Sequence, residues 1–114
     1  GKRVAEPAVN FAGRYHLGLH SCGAGCRYYT LVDLSSGTDL SSVVEMFAST
    51  DPPSRTADGL IYVTDLLSRP GSRLLVAQYI LDAPSETACR ERLFLFEEEK
   101  LRAISGTRRS CGVW

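Results

Sequence analysis

Residues 13–33 read GRYHLGLHSCGAGCRYYTLVD, and the way this stretch folds decides the architecture of the chain. Its first arm alternates. Tyr15, Leu17 and Leu19 fall on one side of an extended backbone, and Arg14, His16 and His20 on the other, because strand side chains point to opposite faces with period two. The second arm, residues 27–34, is rich in aromatic and β-branched residues and repeats the apolar period at Tyr29 and Leu31. Between the arms, Gly23-Ala24-Gly25 supplies the positive φ that a short hairpin loop demands. A three-residue loop sets Cys22 opposite Cys26, and opposed hairpin residues are close enough for a disulfide. The stretch predicts a hairpin stapled at its mouth. The loop is so small that its chain-entropy effect is about 2 kcal/mol or less, so the staple fixes shape more than stability.

Other uses of this cysteine pair fit poorly. A thioredoxin-type centre needs C-x-x-C at a helix start, where the dipole lowers the thiol pKa. Here the spacing is C-x3-C and no helical pattern follows. A zinc knuckle needs a second close pair, whereas Cys89 and Cys111 lie far apart in the chain. His16 and His20 share a strand face with Cys22, which sketches a metal site. Their flanking alternation instead places them on the polar face of a half-exposed strand, so no metal and no cofactor are expected. Cys89 paired with Cys111 closes a longer loop, contributes about 3 kcal/mol in the chain-entropy model and ties down the C-terminal tail. Two disulfides imply an oxidising compartment.

Outward from the hairpin, the chain continues as strands and turns. Residues 1–10 read as an extended lead-in. Strands are expected at 12–21, 27–34, 60–67, 73–81 and 92–98, with turns at SSGT (35–38) and at Pro70-Gly71. Residues 39–48 are ambiguous. Leu40, Val43, Val44 and Phe47 have helical spacing, yet two valines and two serines weaken a helix, and a short strand over 43–47 is preferred. Pro52 and Pro53 exclude a helix or central strand from the long loop 49–59. RLFLFEE alternates too, with Leu93 and Leu95 on one face and Phe94 and Phe96 on the other. The expected core is Tyr15, Leu17, Leu19, Leu31, Ile61, Leu75, Ala77, Tyr79, Leu93 and Leu95. The fold class is mainly β: antiparallel hairpins forming a sandwich or partial barrel, disulfide-stapled, in a single domain over 1–114 with a tail at 106–114.

Charge narrows the function. Thirteen basic residues balance thirteen acidic ones, which argues against nucleic-acid binding and against docking on anionic lipid. No apolar run reaches the length of a membrane span. The chain begins at Gly1 without methionine, which reads as a trimmed product whose signal peptide has been removed. No catalytic constellation emerges. Cysteines in disulfides cannot attack, no G-x-S-x-G elbow exists, and His20 and Ser21 are sequence neighbours on opposite strand faces. The acidic run Glu97-Glu98-Glu99 reads as a solvated hairpin tip. The chain is therefore not read as an enzyme.

The motifs VNFAGRYHLGLHSCGAGCRYYTLVDLSSG and, later, SRLLVAQYIL with CRERLFLFEEEKLRAIS resemble a group of small exported bacterial proteins. That group shares an NFAG-x-Y start and a CG-x-GC hairpin tip, and the likeness spans residues 9–105. Small periplasmic β-proteins of this kind include immunity proteins that neutralise peptidoglycan amidases delivered by type VI secretion, and others inhibit lysozymes. The resemblance implies a periplasmic inhibitor whose protein partner is a secreted peptidoglycan hydrolase that it silences by filling the active-site cleft. A periplasmic binding or structural module is the alternative, and a homodimer is left open. The contact segment is expected in the long loop, at Asp51, Ser54, Arg55, Thr56 and Asp58, because prolines limit its free conformations and arginine is enriched at hot spots.

Overall fold

A computed structural model describes residues 8–23, 26–49, 53–82 and 88–112. The stapled hairpin is there. Strand β1 (Tyr15–Gly23) pairs antiparallel with β2 (Cys26–Asp33), and β2 in turn pairs with a two-residue β3 (Thr38–Asp39). A second antiparallel sheet runs β4 (Tyr62–Leu67), β5 (Leu74–Leu81), β6 (Cys89–Glu97), β7 (Lys100–Ala103), in that spatial order. Consecutive strands are neighbours in both sheets, as expected where short turns join alternating segments. Both disulfides form as expected, Cys22–Cys26 and Cys89–Cys111. The register at the hairpin mouth differs in one respect. Gly23, with φ +122°, stands opposite Cys26, and the pairing slips between Ser21 and Gly23. Cys22 therefore reaches Cys26 from a bulge rather than from the directly opposed position, at a Cα separation of 5.0 Å.

The segment 43–47 is not a strand. Two 3₁₀ turns, Ser41–Val43 and Glu45–Phe47, occupy it. The cause is local side-chain chemistry. Asp39 accepts hydrogen bonds from both the backbone N–H and the hydroxyl of Ser41, and that hydroxyl oxygen accepts the N–H of Leu31. Such short-range bonds compete with ladder pairing and curl the chain. The curl carries Val44 and Phe47 into the core, with Leu40 and Val43 packed against it. The helical spacing thus names the inward residues even though the backbone is 3₁₀.

The core lies between the two sheets. Phe11, Tyr15, Tyr29, Leu31, Val44 and Phe47 enter from one side, and Leu75, Ala77, Phe94 and Phe96 from the other. Rings interlock edge to face: Phe96 with Phe11 and Tyr15 at 5.3 and 4.9 Å, Phe47 with Phe94 at 5.5 Å. Such pairs add about 0.5–1.5 kcal/mol beyond their buried area. This corrects the expected core, which lacks the buried Phe11, Tyr29, Val44 and Phe47. On β6 the phenylalanine face is inward, and Leu93 and Leu95 are only half-buried on the outer face, across from Val76 and Leu74. Leu19 is 53% exposed. Leu17, Ile61 and Tyr79 are half-buried.

The sheets are joined by polar contacts as well. Tyr29 lies buried, and its hydroxyl donates to the carbonyl of Thr64 at 2.8 Å and accepts the N–H of Leu66 at 3.3 Å. Arg27 donates to the same carbonyl and to Asp65, both at 2.7 Å. Both side chains come from β2 and satisfy the free edge of β4, which faces away from β5. Edge groups left bare would recruit foreign strands.

Candidate functional site

The loop expected to carry function folds back on itself. Pro53–Ile61 is closed by a bridge between Arg55 and Ile61, by the Thr56 N–H on the Leu60 carbonyl, and by the Gly59 N–H on the Thr56 carbonyl. The Tyr62 N–H of β4 donates to the Ser54 carbonyl at 3.1 Å, which anchors the loop base to the sheet. Thr56 caps the turn twice. Its hydroxyl donates to Asp58 at 2.6 Å, and the hydroxyl oxygen accepts the Leu60 N–H at 3.0 Å.

Asp58 then clamps the loop to β6. Its two carboxylate oxygens receive the two terminal nitrogens of Arg90, at 3.1 and 2.9 Å. Fork-to-fork geometry of this kind fixes orientation as well as distance. The hydrogen bonds from Arg90, then that from Thr56, hold the Asp58 carboxyl well below the usual carboxylate range, and the same pairing raises the Arg90 guanidinium. Arg55 remains exposed, with one terminal nitrogen donating to the Gly59 carbonyl at 3.0 Å. Ser54, Arg55, Thr56 and Asp58 therefore form one braced unit. Asp51 lies outside the described residues.

Beside this loop opens a cleft of about 400 Å³, lined by Arg55, Thr56, Tyr62, Tyr79, Arg90 and Thr107. Its position follows from the packing. The first sheet covers the Phe94 and Phe96 end of the second sheet, and the opposite end of that inner face stays open. Tyr62 and Tyr79 meet there edge to face at 5.4 Å. Burial pushes the Tyr79 hydroxyl pKa upward, opposed by the nearby positive charge of Arg92. Two tyrosines and two arginines on a rigid wall are the residue types that dominate protein-binding hot spots.

Sequence reading finds the loop half of this site and misses the sheet half. Tyr62, Tyr79, Arg90 and Thr107 come from separate segments. Only the register that sets Thr64 across from Tyr79, and Tyr79 across from Arg90, brings them together. An arginine next to a disulfide cysteine carries no such signal in one dimension. The SSGT loop at 35–38 is likewise internally bonded. Asp33 accepts the N–H and hydroxyl of Ser35 at 2.9 and 2.6 Å, and the Ser36 and Thr38 hydroxyls meet at 2.8 Å. Its three hydroxyls thus already have partners within residues 33–38.

All four cysteines are in disulfides, and among the described residues no three of His, Cys, Asp and Glu converge as a metal cage. No helix among the described residues is long and apolar enough to cross a membrane. The disulfides fit an oxidising, extracytoplasmic setting. No family model, no curated protein and no solved structure matches the chain.

Proposed function

We propose that this chain is a periplasmic protein inhibitor, an immunity protein that neutralises a secreted cell-wall peptidoglycan amidase by blocking its active-site cleft. The observation that carries the reading is the braced loop Pro53–Ile61. A cleft blocker must be convex and must resist deformation. The Asp58–Arg90 clamp and the Ser54–Tyr62 anchor remove the freedom that binding would otherwise cost, about 0.5–1.5 kcal/mol for each side chain immobilised. Arg55 and its tyrosine-lined flank then supply the contacting chemistry. The chain acts by binding and performs no catalysis.

The test is an inhibition titration of a secreted peptidoglycan amidase with the wild-type chain and with Arg55→Ala. The expected result is inhibition by the wild type and a loss of at least about 1–2 kcal/mol, roughly tenfold in affinity, in the variant. Equal inhibition by both would reassign the contact to another face. Absence of inhibition by the wild type would overturn the reading itself.

The cleft beside the loop favours a second reading, a periplasmic binding module. Its volume lies within the range of small-ligand sites, and a few polar groups converge on an aromatic wall. Saturable binding of a cell-wall fragment that is abolished by Tyr79→Ala, without any amidase inhibition, would select it. The lysozyme-inhibitor variant of the first reading rests on the SSGT loop, whose internally paired hydroxyls make it the less suited of the two loops.

A further inference from the structure

The outer face of the first sheet carries a feature that the loop does not explain. His16, Gly18 and His20 follow one another along that face of β1, and Thr30 of β2 stands directly opposite Gly18. A Cβ placed on Gly18 would lie 3.0 Å from Thr30 Oγ1, 3.1 Å from His20 Nε2 and 3.7 Å from His16 Nε2. Three polar atoms from two strands thus surround one point, which is open because residue 18 has no side chain. Gly18 is not among the positive-φ glycines, so backbone conformation does not require glycine there. The space does.

The histidine tautomers support the same arrangement. His16 Nδ1 lies 2.7 Å from the Ala8 carbonyl oxygen. A carbonyl only accepts, so the proton sits on Nδ1, which leaves Nε2, 3.7 Å from the Cβ point at Gly18, as the acceptor nitrogen of the neutral ring. Donation of one ring N–H to a backbone carbonyl is how proteins orient a metal-binding imidazole. His20 is stacked on Tyr28 at 5.0 Å, and its Nε2 is hydrogen-bonded to Thr30 Oγ1 at 2.8 Å, a bond that a cation taking the Nε2 lone pair displaces. Once that bond is displaced, the Thr30 hydroxyl turns its hydrogen outward and offers a lone pair to the same ion.

We infer that His16 Nε2 and His20 Nε2, with Thr30 Oγ1 beside them, bind one late first-row divalent cation on this exposed face. The disulfide removes Cys22 and Cys26 as thiolate ligands, so the site offers only nitrogen and oxygen. Imidazole ligands suit Cu²⁺, Ni²⁺ and Zn²⁺, with Cu²⁺ held most tightly along the divalent series. Bond lengths near 2.0–2.1 Å to each nitrogen call for rotation of both rings toward the point above Gly18. Remaining coordination positions go to water. The inference is independent of the amidase reading, since the site lies on a different sheet from the braced loop.

The test is titration of the oxidised wild-type chain with Cu²⁺ and Zn²⁺ by calorimetry, with Zn²⁺ repeated by NMR of the imidazole nitrogens. One ion per chain is expected, with the Nε2 resonances of both histidines shifting together and Cu²⁺ bound more tightly than Zn²⁺. His16→Asn and His20→Asn should each weaken binding at least about tenfold. Gly18→Val, which keeps both histidines and fills the space, should do the same. Lack of saturation up to about 1 mM metal, an affinity scale of roughly −4 kcal/mol, overturns the inference. So does binding that is undiminished in the histidine variants or that shifts neither imidazole in the wild type.

Discussion

At the scale of single residues, carboxylates hold the loops in place. Asp58 is held low by Arg90, Asp33 by the Ser35 hydroxyl and then by Arg14, and Asp39 by Ser41. An aspartate whose folded pKa lies below its unfolded value, near 4, stabilises the fold at every pH above that value. The contribution fades as pH falls toward and through the folded value. Thermal stability should therefore be flat from about pH 5 to 7 and fall below about pH 4. Asp58→Asn should reduce that acid dependence and loosen the Pro53–Ile61 loop, seen as faster amide exchange at Leu60 and Tyr62. An unchanged exchange rate would show that the clamp does not brace the loop. A second residue-scale prediction concerns the β6–β7 turn, where Glu98 and Glu99 have φ +51° and +60° between the paired residues Glu97 and Lys100. A two-residue hairpin turn of this hand favours Asn-Gly, and left-handed backbone costs an ordinary residue roughly 1–2 kcal/mol. Replacing Glu98-Glu99 by Asn-Gly should raise the melting temperature, by about 1 kcal/mol or more in stability.

At the scale of elements, β6 decides which half of an alternating strand matters. Both of its faces are apolar, so period two alone does not choose between Leu93 and Leu95 and Phe94 and Phe96. The rings win because they fill the space between sheets against Phe11, Tyr15 and Phe47. Phe94→Ala should cost about 3–5 kcal/mol and Leu75→Ala about 2–5 kcal/mol. Leu93→Ala, half-buried on the outer face, should cost clearly less; denaturant midpoints of the three variants settle the order. The disulfides divide similarly by loop length. Removing Cys89–Cys111, which spans 22 residues, should destabilise by about 3 kcal/mol, more than removing Cys22–Cys26, which spans 4. It should also free the tail, whose Arg108 bridges Glu91 and whose Gly112 N–H donates to the fully buried Glu91 carboxylate at 3.1 Å.

At the scale of the molecule, the two sheets are fastened by β2 reaching the edge of β4. Tyr29→Phe keeps the ring and its packing but strands the Leu66 N–H, while the Thr64 carbonyl keeps its bond from Arg27. An unsatisfied buried group costs about 1–3 kcal/mol, so this one-atom deletion should destabilise measurably while leaving the circular dichroism spectrum unchanged. A cost near zero would mean that water replaces the hydroxyl at the joint. The joint also explains where the cleft lies. It fixes the first sheet over one end of the second, leaving Tyr62, Tyr79 and Arg90 uncovered at the other.

The sequence by itself determined the stapled hairpin, the antiparallel strands, the disulfide pairing and the loop half of the candidate site. Each of these depends on neighbours in the chain: alternation along a strand, glycines in a turn, two cysteines facing across a short loop. Residues 41–47 mark the boundary of that legibility, since the strand preferred there leaves Val44 and Phe47 out of the expected core, whereas the hydrogen bonds among Asp39, Ser41 and Leu31 accompany a curled backbone that carries both inward. Only the tertiary structure decided which face of β6 is core, that Leu19 stands in solvent, and that Arg90 grips Asp58 beside Tyr62 and Tyr79. Those outcomes depend on how far one sheet overlaps another and in what register. Volume and reach between distant segments set both, and neither leaves a period in the chain.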